Sequence, residues 1–440
     1  MLLKYTVSNF KSIADTIEFT MIPTEDNVRH QFADTLKTKN SEFKVLRRGI
    51  FFGANASGKT SFVESIDFAR DFIVEGQKSG RAIQVNQFKG HSDKDNFSVF
   101  QFVFYLNENI YEYGFSLDTG KVYEEWLMLM DNNEFVSVFE RTTNESNITV
   151  INIEKPDEFE ANEIPLIEIL KNSIKEQQKN QLFLNKMSEN AVSLAESIVE
   201  WFRNIVVIFP ESSLRGLELK VAKDKDFATF LSNILYELDT GISQVKSTGK
   251  KFPLKKLLKK MDVPQEIIDD IYDKKNGVVE IEGKMFVFIE NSGEPILYEL
   301  KLEHMLKGSP NQFNKDEESD GTKRLLDLLP ILFQLTETNK LFIIDELDRS
   351  VHTLVTKDFL KRFLVNSQNT QNQLIITAHD VNVIDLFEVS QQEIWFFNKN
   401  KDGVTSIKPL SDYKLEEGYN ADLGYLAGRF GGIPTLKGGY

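Results

Sequence analysis

The chain has 440 residues, room for about two or three domains, and 41% of them are apolar, enough to bury a substantial core. The absence of cysteine excludes a disulfide framework, a thiolate zinc site and a cysteine nucleophile. A formal net charge of −15 removes any bulk-charge argument for nucleic-acid binding, no apolar run is long enough for a transmembrane helix, and residues 1–7 lack a signal-peptide core, so a cytoplasmic protein with no membrane contact is expected.

In the opening residues Leu3, Tyr5 and Val7 alternate onto one face, and Ile17 and Phe19 belong to a second strand after a turn at 9–15. Residues 24–44 are polar and read as a loop. A short apolar strand at 48–52 feeds directly into Gly53-Ala54-Asn55-Ala56-Ser57-Gly58-Lys59-Thr60, and a helix is expected from Thr60, with Phe62, Ile66 and Phe68 as apolar positions. Residues 97–140 are strand-rich. Val99, Val103 and Tyr105 alternate with Phe100, Phe102 and Phe104, so both faces are apolar, as in a covered sheet. Turns at Asn107-Glu108-Asn109 and Asp118-Thr119-Gly120 make this region an antiparallel lobe.

From about 155 to about 275 the pattern is helical, for example Leu194, Ile198, Trp201 and Phe202, with no sustained heptad. A lysine-rich run at 250–260 reads as a solvated helix face with Leu254, Leu257 and Leu258 turned inward. Strand returns at 278–302. The last third alternates: a helix at 322–334, a strand at 341–345, a helix containing Leu354, Phe359 and Phe363, and a strand at 374–377 ending near His379. That alternation is the pattern of parallel α/β architecture. A hairpin follows, with strands at 392–397 and 404–407 about Asp402-Gly403. The expected organisation is an N-terminal half at 1–150, a helical insertion at 151–305 and a C-terminal half at 306–440.

Residues 53–60 match the phosphate-binding pattern G-x-x-x-x-G-K-[ST]. Gly53 and Gly58 permit a tight backbone whose N–H groups, including those of Asn55 and Ser57, face the phosphates. Lys59 reaches the β- and γ-phosphates, and the Thr60 hydroxyl ligates magnesium. Leu341-Phe342-Ile343-Ile344 is a buried strand ending in Asp345, placed to hold magnesium, and Glu346, placed to act as the general base. His379 stands at the C-terminal edge of a parallel sheet, where a polar residue faces the ligand crevice. Ser319-Asp320-Gly321-Thr322 opens a helix. Its chemistry is equally that of an anion site and of a plain N-cap.

These pieces, in this order, resemble the ABC-type ATPases, and more closely the branch near SMC, RecF and OLD heads. In that family a serine-glycine signature binds the γ-phosphate of a neighbouring subunit. Ser319, Gly321 and Thr322 match it loosely, Asp348 matches the D-loop aspartate, and His379 matches the switch histidine. Asn9-Phe10-Lys11-Ser12 resembles a turn that lies near the nucleotide in such heads. With the tail at 428–434, the motifs look like the ATPases of bacterial anti-phage and abortive-infection systems, RloA-like and PARIS AriA-like.

The resemblance implies an α/β ABC-type P-loop head with an antiparallel β lobe and a helical insertion. It implies ATP and Mg2+ as cofactors, and a homodimer or higher homo-oligomer with ATP between subunits. It further implies a sensor or regulatory role over a separate effector, a nuclease, set off by a phage-derived trigger. The family's metal-reaching glutamine has no plain counterpart. Gln87 is the candidate, Gln84 competes, and either serves equally as a loop glutamine. A RecF-like repair ATPase that binds DNA directly and an ATP-gated scaffold without significant hydrolysis are the alternatives.

Overall fold

The computed structural model describes the chain apart from residues 25–31, 40, 79, 91–96, 178, 213, 215, 274–276, 282–283, 289–294, 337, 384–388, 414–423, 426 and 432–440. The last three residues of the tail segment 428–434 thus lie outside the described residues. The chain forms two compact units. The first comprises Met1–Pro210, Leu335–Asp348 and Leu360–Tyr440, and the second Glu211–Gln334 and Arg349–Phe359.

Two large sheets dominate the first unit. One has six strands in the order Ile205–Ile208, Leu341–Ile344, Gln373–Ala378, Arg48–Phe52, Ile394–Lys399 and Thr405–Pro409. The first five run parallel, and the last pairs antiparallel with Ile394–Lys399. Every residue of Arg48–Phe52, Leu341–Ile344 and Gln373–Ala378 is buried, as expected of strands covered on both faces. The other sheet is antiparallel, with seven strands ordered Thr149–Ile153, Glu134–Thr143, Val122–Asp131, Asn109–Leu117, Ser98–Leu106, Leu2–Ser8 and Ile17–Thr20. Asn107 and Glu108, at φ 49° and 61°, form one of its tight left-handed turns.

Between the sheets runs the helix Lys59–Val74. Phe62, Val63, Ile66, Ala69 and Ile73 make its buried stripe at helical spacing. The Phe62 ring meets Tyr5 at 5.4 Å and Phe19 at 6.1 Å from the antiparallel sheet. It also meets Phe51 at 5.4 Å and Phe397 at 5.5 Å from the parallel one. The helix is therefore clamped by aromatic contacts on two sides, which fixes the position of the loop that precedes it.

The structure departs from the sequence reading in several places. The stretch 24–44, read as loop, contains most of a hairpin of Ala33–Lys37 and Glu42–Leu46. The helices Ile164–Gln177, Phe183–Glu189 and Ser193–Arg203 fall in the first unit, where Trp201 stacks on Phe104 at 4.3 Å and Phe202 meets Phe102 at 5.0 Å. Ile205–Ile208, read as helical, is the edge strand of the parallel sheet, since four consecutive apolar residues carry no period that separates strand from helix.

The second unit is not purely helical. Ile242–Lys251, Ile296–Leu306, Lys284–Phe288 and Gly277–Ile281 form a sheet in that order, and Ser309–Asn314 pairs with Ile296–Leu306. Helices Leu217–Lys223, Lys225–Glu237 and Asp320–Gln334 belong to this unit, the last two meeting through Phe227 and Phe230 against Phe333. In Leu254–Lys260 the leucines Leu254 and Leu258 turn inward onto Ile268 and Leu297, as the sequence predicts, and Leu257 is half-buried.

Candidate functional site

The strand Arg48–Phe52 delivers the loop 53–60 to the C-terminal edge of the parallel sheet, where ligands sit in α/β proteins. Two positions demand glycine. A Cβ on Gly53 would sit 2.6 Å from Phe397 O and from Ser57 Oγ, and Gly58 adopts φ +107°. Lys59 Nζ folds back onto the loop, donating to Gly53 O at 2.6 Å and Ala54 O at 3.3 Å. Burial lowers its pKa to about 8, while the carboxylates of Asp345, Asp348 and Glu346 pull it upward.

Asp345 is buried at the end of Leu341–Ile344. Thr60 Oγ1 donates to its Oδ2 at 2.9 Å, and Thr377 Oγ1 donates to its Oδ1 at 2.6 Å. Burial raises the Asp345 pKa, and these two hydroxyls oppose that shift. The same Thr377 oxygen accepts from Glu346 N at 2.8 Å. Glu346 occupies the left-handed region at φ 49°, a conformation that costs a non-glycine residue roughly 1–3 kcal/mol and recurs at functional sites. His379 Nε2 lies 3.4 Å from Glu346 Oε1. The backbone N–H groups of His379 and Asp380 donate to Asp348 Oδ2 at 2.7 and 2.6 Å.

Lys59, Thr60, Asp345, Glu346, Asp348 and His379 therefore converge, although they come from three separated stretches of chain. Thr377 ties them together and was missed by sequence reasoning. Nothing in the sequence marked it: only the register of the folded sheet, which pairs Ile344 with Ile376, sets Thr377 beside Asp345.

In the second unit Ser319 Oγ accepts from Thr322 N at 3.2 Å, lies 3.0 Å from Thr322 Oγ1 and caps the helix Asp320–Gln334. Ser319 remains exposed. A Cβ on Gly321 would stand 2.6 Å from Ser350 O, so the close approach of that carbonyl requires glycine. Gln87 lines an open cavity of about 650 Å³ with Lys11, Ser12, Asn86 and Phe88. Asn9 and Lys11, both at positive φ, pin that segment through Phe88 N to Asn9 Oδ1 at 3.1 Å and Lys11 N to Asn86 O at 2.7 Å. Gln84 is exposed, its Nε2 3.5 Å from Ala82 O.

The residues fit a phosphate and a hard cation. Ser57 Oγ is buried and has no hydrogen-bond partner among the described residues, and the bare Gly53 leaves room beside it. Among the described residues no group of three or more His, Cys, Asp or Glu is arranged to hold a metal. Thr60 and Asp345 offer one hydroxyl and one carboxylate, hard donors that could share a cation with phosphate oxygens and water.

A P-loop ATPase head of the ABC type is the class that this fold and constellation define. The chain belongs to the family described as "AAA domain, putative AbiEii toxin, Type IV TA system", whose match covers residues 50–385. No curated protein matches it. Among solved structures, the SMC head domain from Thermotoga maritima is 13% identical, covering 93% of this chain and 98% of that one, with a TM-score of 0.36. The SmcHead bound to the C-winged helix domain of ScpA is 12% identical over 93% and 99%, with a TM-score of 0.43. The Smc head with an extended coiled coil bound to the C-terminal domain of ScpA, derived from Pyrococcus furiosus, is 11% identical over 93% and 97%, with a TM-score of 0.36. At these scores the likeness is loose, and the class rests on strand order and site. Among the described residues no helix is long and apolar enough to cross a membrane.

Proposed function

We propose that the chain binds ATP with magnesium on the loop 53–60 and hydrolyses it. The observation that carries this reading is the hydrogen-bonded run Thr60–Asp345–Thr377–Glu346, with His379 beside it. Inward N–H groups of the loop bind the phosphates, and Lys59 leaves its carbonyl partners to counter their charge. Thr60 and Asp345 would hold magnesium, which would supply charge neutralisation at the phosphates. Glu346 accepts a proton from the attacking water, and His379 orients that water against the γ-phosphate. Ser319, Gly321 and Thr322 present a helix N-terminus to the γ-phosphate of a second copy, which makes the working unit a homodimer or larger homo-oligomer.

The biological reading is a regulatory ATPase of an anti-phage system that restrains and releases a separate toxic effector, a nuclease. The motif resemblance supports it, and so does a family description that names a putative AbiEii toxin of a type IV TA system.

Equilibrium binding of a fluorescent ATP analogue tests the site. Lys59→Ala should abolish or sharply weaken binding, whereas Glu346→Gln should retain ATP, lose turnover and accumulate a nucleotide-bound oligomer in light scattering. Unchanged affinity in Lys59→Ala removes the loop as the site, and full turnover in Glu346→Gln removes the base. For the cellular role, protection against a phage panel should need both the genomic neighbour and an intact Glu346. Protection by neither, with sensitivity to DNA damage on loss of the gene, would favour a repair ATPase.

A further inference from the structure

Thr405 opens the last strand of the parallel sheet, far in sequence from the phosphate loop, and matches none of the motifs above. It is 2% exposed. Its Oγ1 donates to Ser57 O at 3.0 Å, its backbone N–H donates to Ser12 O at 2.8 Å, and its Oγ1 lies 2.9 Å from Ser12 Oγ. Ser12 Oγ in turn lies 3.1 Å from Ser61 Oγ at the start of the helix. The Thr405 side chain also fills the space a Cβ on Gly58 would need, with Oγ1 2.1 Å from that position. Its strand pairs with Ile394–Lys399, which pairs with the strand that delivers the loop, so this anchor is built into the same sheet.

We infer that Thr405 is a positioning residue for nucleotide binding: its hydroxyl holds the Ser57 carbonyl turned away from the phosphate cradle. The inference rests on the proposed binding of nucleotide at residues 53–60. An anion cradle needs its N–H groups inward and its carbonyls outward. Peptide units beside glycine rotate easily, and the unit joining Ser57 to Gly58 leads into φ +107° at Gly58. Without an anchor its carbonyl can turn toward the phosphates, where oxygen faces oxygen. The hydroxyl of Thr405 removes that freedom, and Gly58 is demanded twice, by its φ and by the threonine packed against it.

The test compares Thr405→Val, which keeps the shape and removes the hydroxyl, with Thr405→Ser, which keeps the hydroxyl. Fluorescent analogues of ATP and ADP are titrated against each full-length variant, with thermal melting recorded without nucleotide. Thr405→Val should lose about tenfold in affinity for both nucleotides, the fold-change of one buried hydrogen bond, and Thr405→Ser should recover most of it. A melting temperature near the parent's in Thr405→Val would separate positioning from folding. Should Thr405→Val melt early, the serine variant decides: equal loss in both variants overturns the inference, because the hydroxyl then does nothing. Parent-like affinity in Thr405→Val also overturns it. No binding by the parent protein refutes the nucleotide reading itself, a result distinct from parent-like affinity in the valine variant.

Discussion

At the scale of residues, the site is arranged around the buried cation of Lys59. Lys59 donates to two carbonyls of its own loop, and burial holds its pKa at about 8 against an ordinary 10.5. The folded state therefore binds fewer protons than the unfolded state between those values. The cost of the buried charge is full below about pH 8 and is relieved as pH rises toward 10.5. Phosphates arriving beside the ammonium reverse that shift. Nucleotide binding should thus take up a proton at roughly pH 9 and almost none at roughly pH 7. Titration calorimetry in buffers of different ionisation enthalpy measures this directly, and uptake that persists in a Lys59→Met variant with residual binding would assign the proton elsewhere. The loop and the two acids were legible because their chemistry fixes both residue type and spacing. Thr377 and Thr405 were not, because a threonine in a strand is ordinary there. Only the register that sets Thr377 beside Asp345, and the fold that brings Thr405 to Gly58, reveal their work.

At the scale of elements, the parallel strands were readable as runs of buried aliphatics, and the aromatic lobe as alternating strands with tight turns. The edge strand Ile205–Ile208 was hidden by its brevity. The hairpin at 33–46 was hidden by polar residues that suit an exposed pair as well as a loop. The lobe also holds a device that pattern cannot show. Glu125, fully buried on Val122–Asp131, accepts from Phe183 N at 2.7 Å and Leu184 N at 2.9 Å, so a strand carboxylate caps the helix Phe183–Glu189, whose own N-cap residue is Leu182. It also accepts from Tyr113 Oη at 3.0 Å and pairs with the buried Arg141 at 3.4 Å. Replacing Glu125 with Gln keeps the shape but leaves the Arg141 guanidinium without its counter-charge. We expect a loss of about 3 kcal/mol or more, read as a lower urea midpoint with unchanged slope. A change under about 1 kcal/mol would mean that the backbone oxygens of Lys179 and Gln181 suffice for Arg141.

At the scale of the whole molecule, the function proposed above would divide the site between copies. The phosphate loop and acids belong to one compact unit and the Ser319 segment to the other, two bodies of one chain. Ser319 already has a local task, capping its helix, so an alanine there would confound a lost cap with a lost phosphate contact. Ser319→Asp avoids this, since aspartate caps equally well but sets a negative charge against a γ-phosphate. Alone, Ser319→Asp and Lys59→Ala should each be nearly inactive. Mixed, they should recover part of the turnover, because a mixed pair has one site whose loop and signature are both intact. The measurement is phosphate release from the mixture after exchange of subunits has been demonstrated with two differently labelled chains. Recovery establishes that Ser319 serves its partner's nucleotide. No recovery in a mixture shown to contain mixed oligomers would assign the complete site to a single chain and reduce Ser319 to the helix cap its geometry already displays.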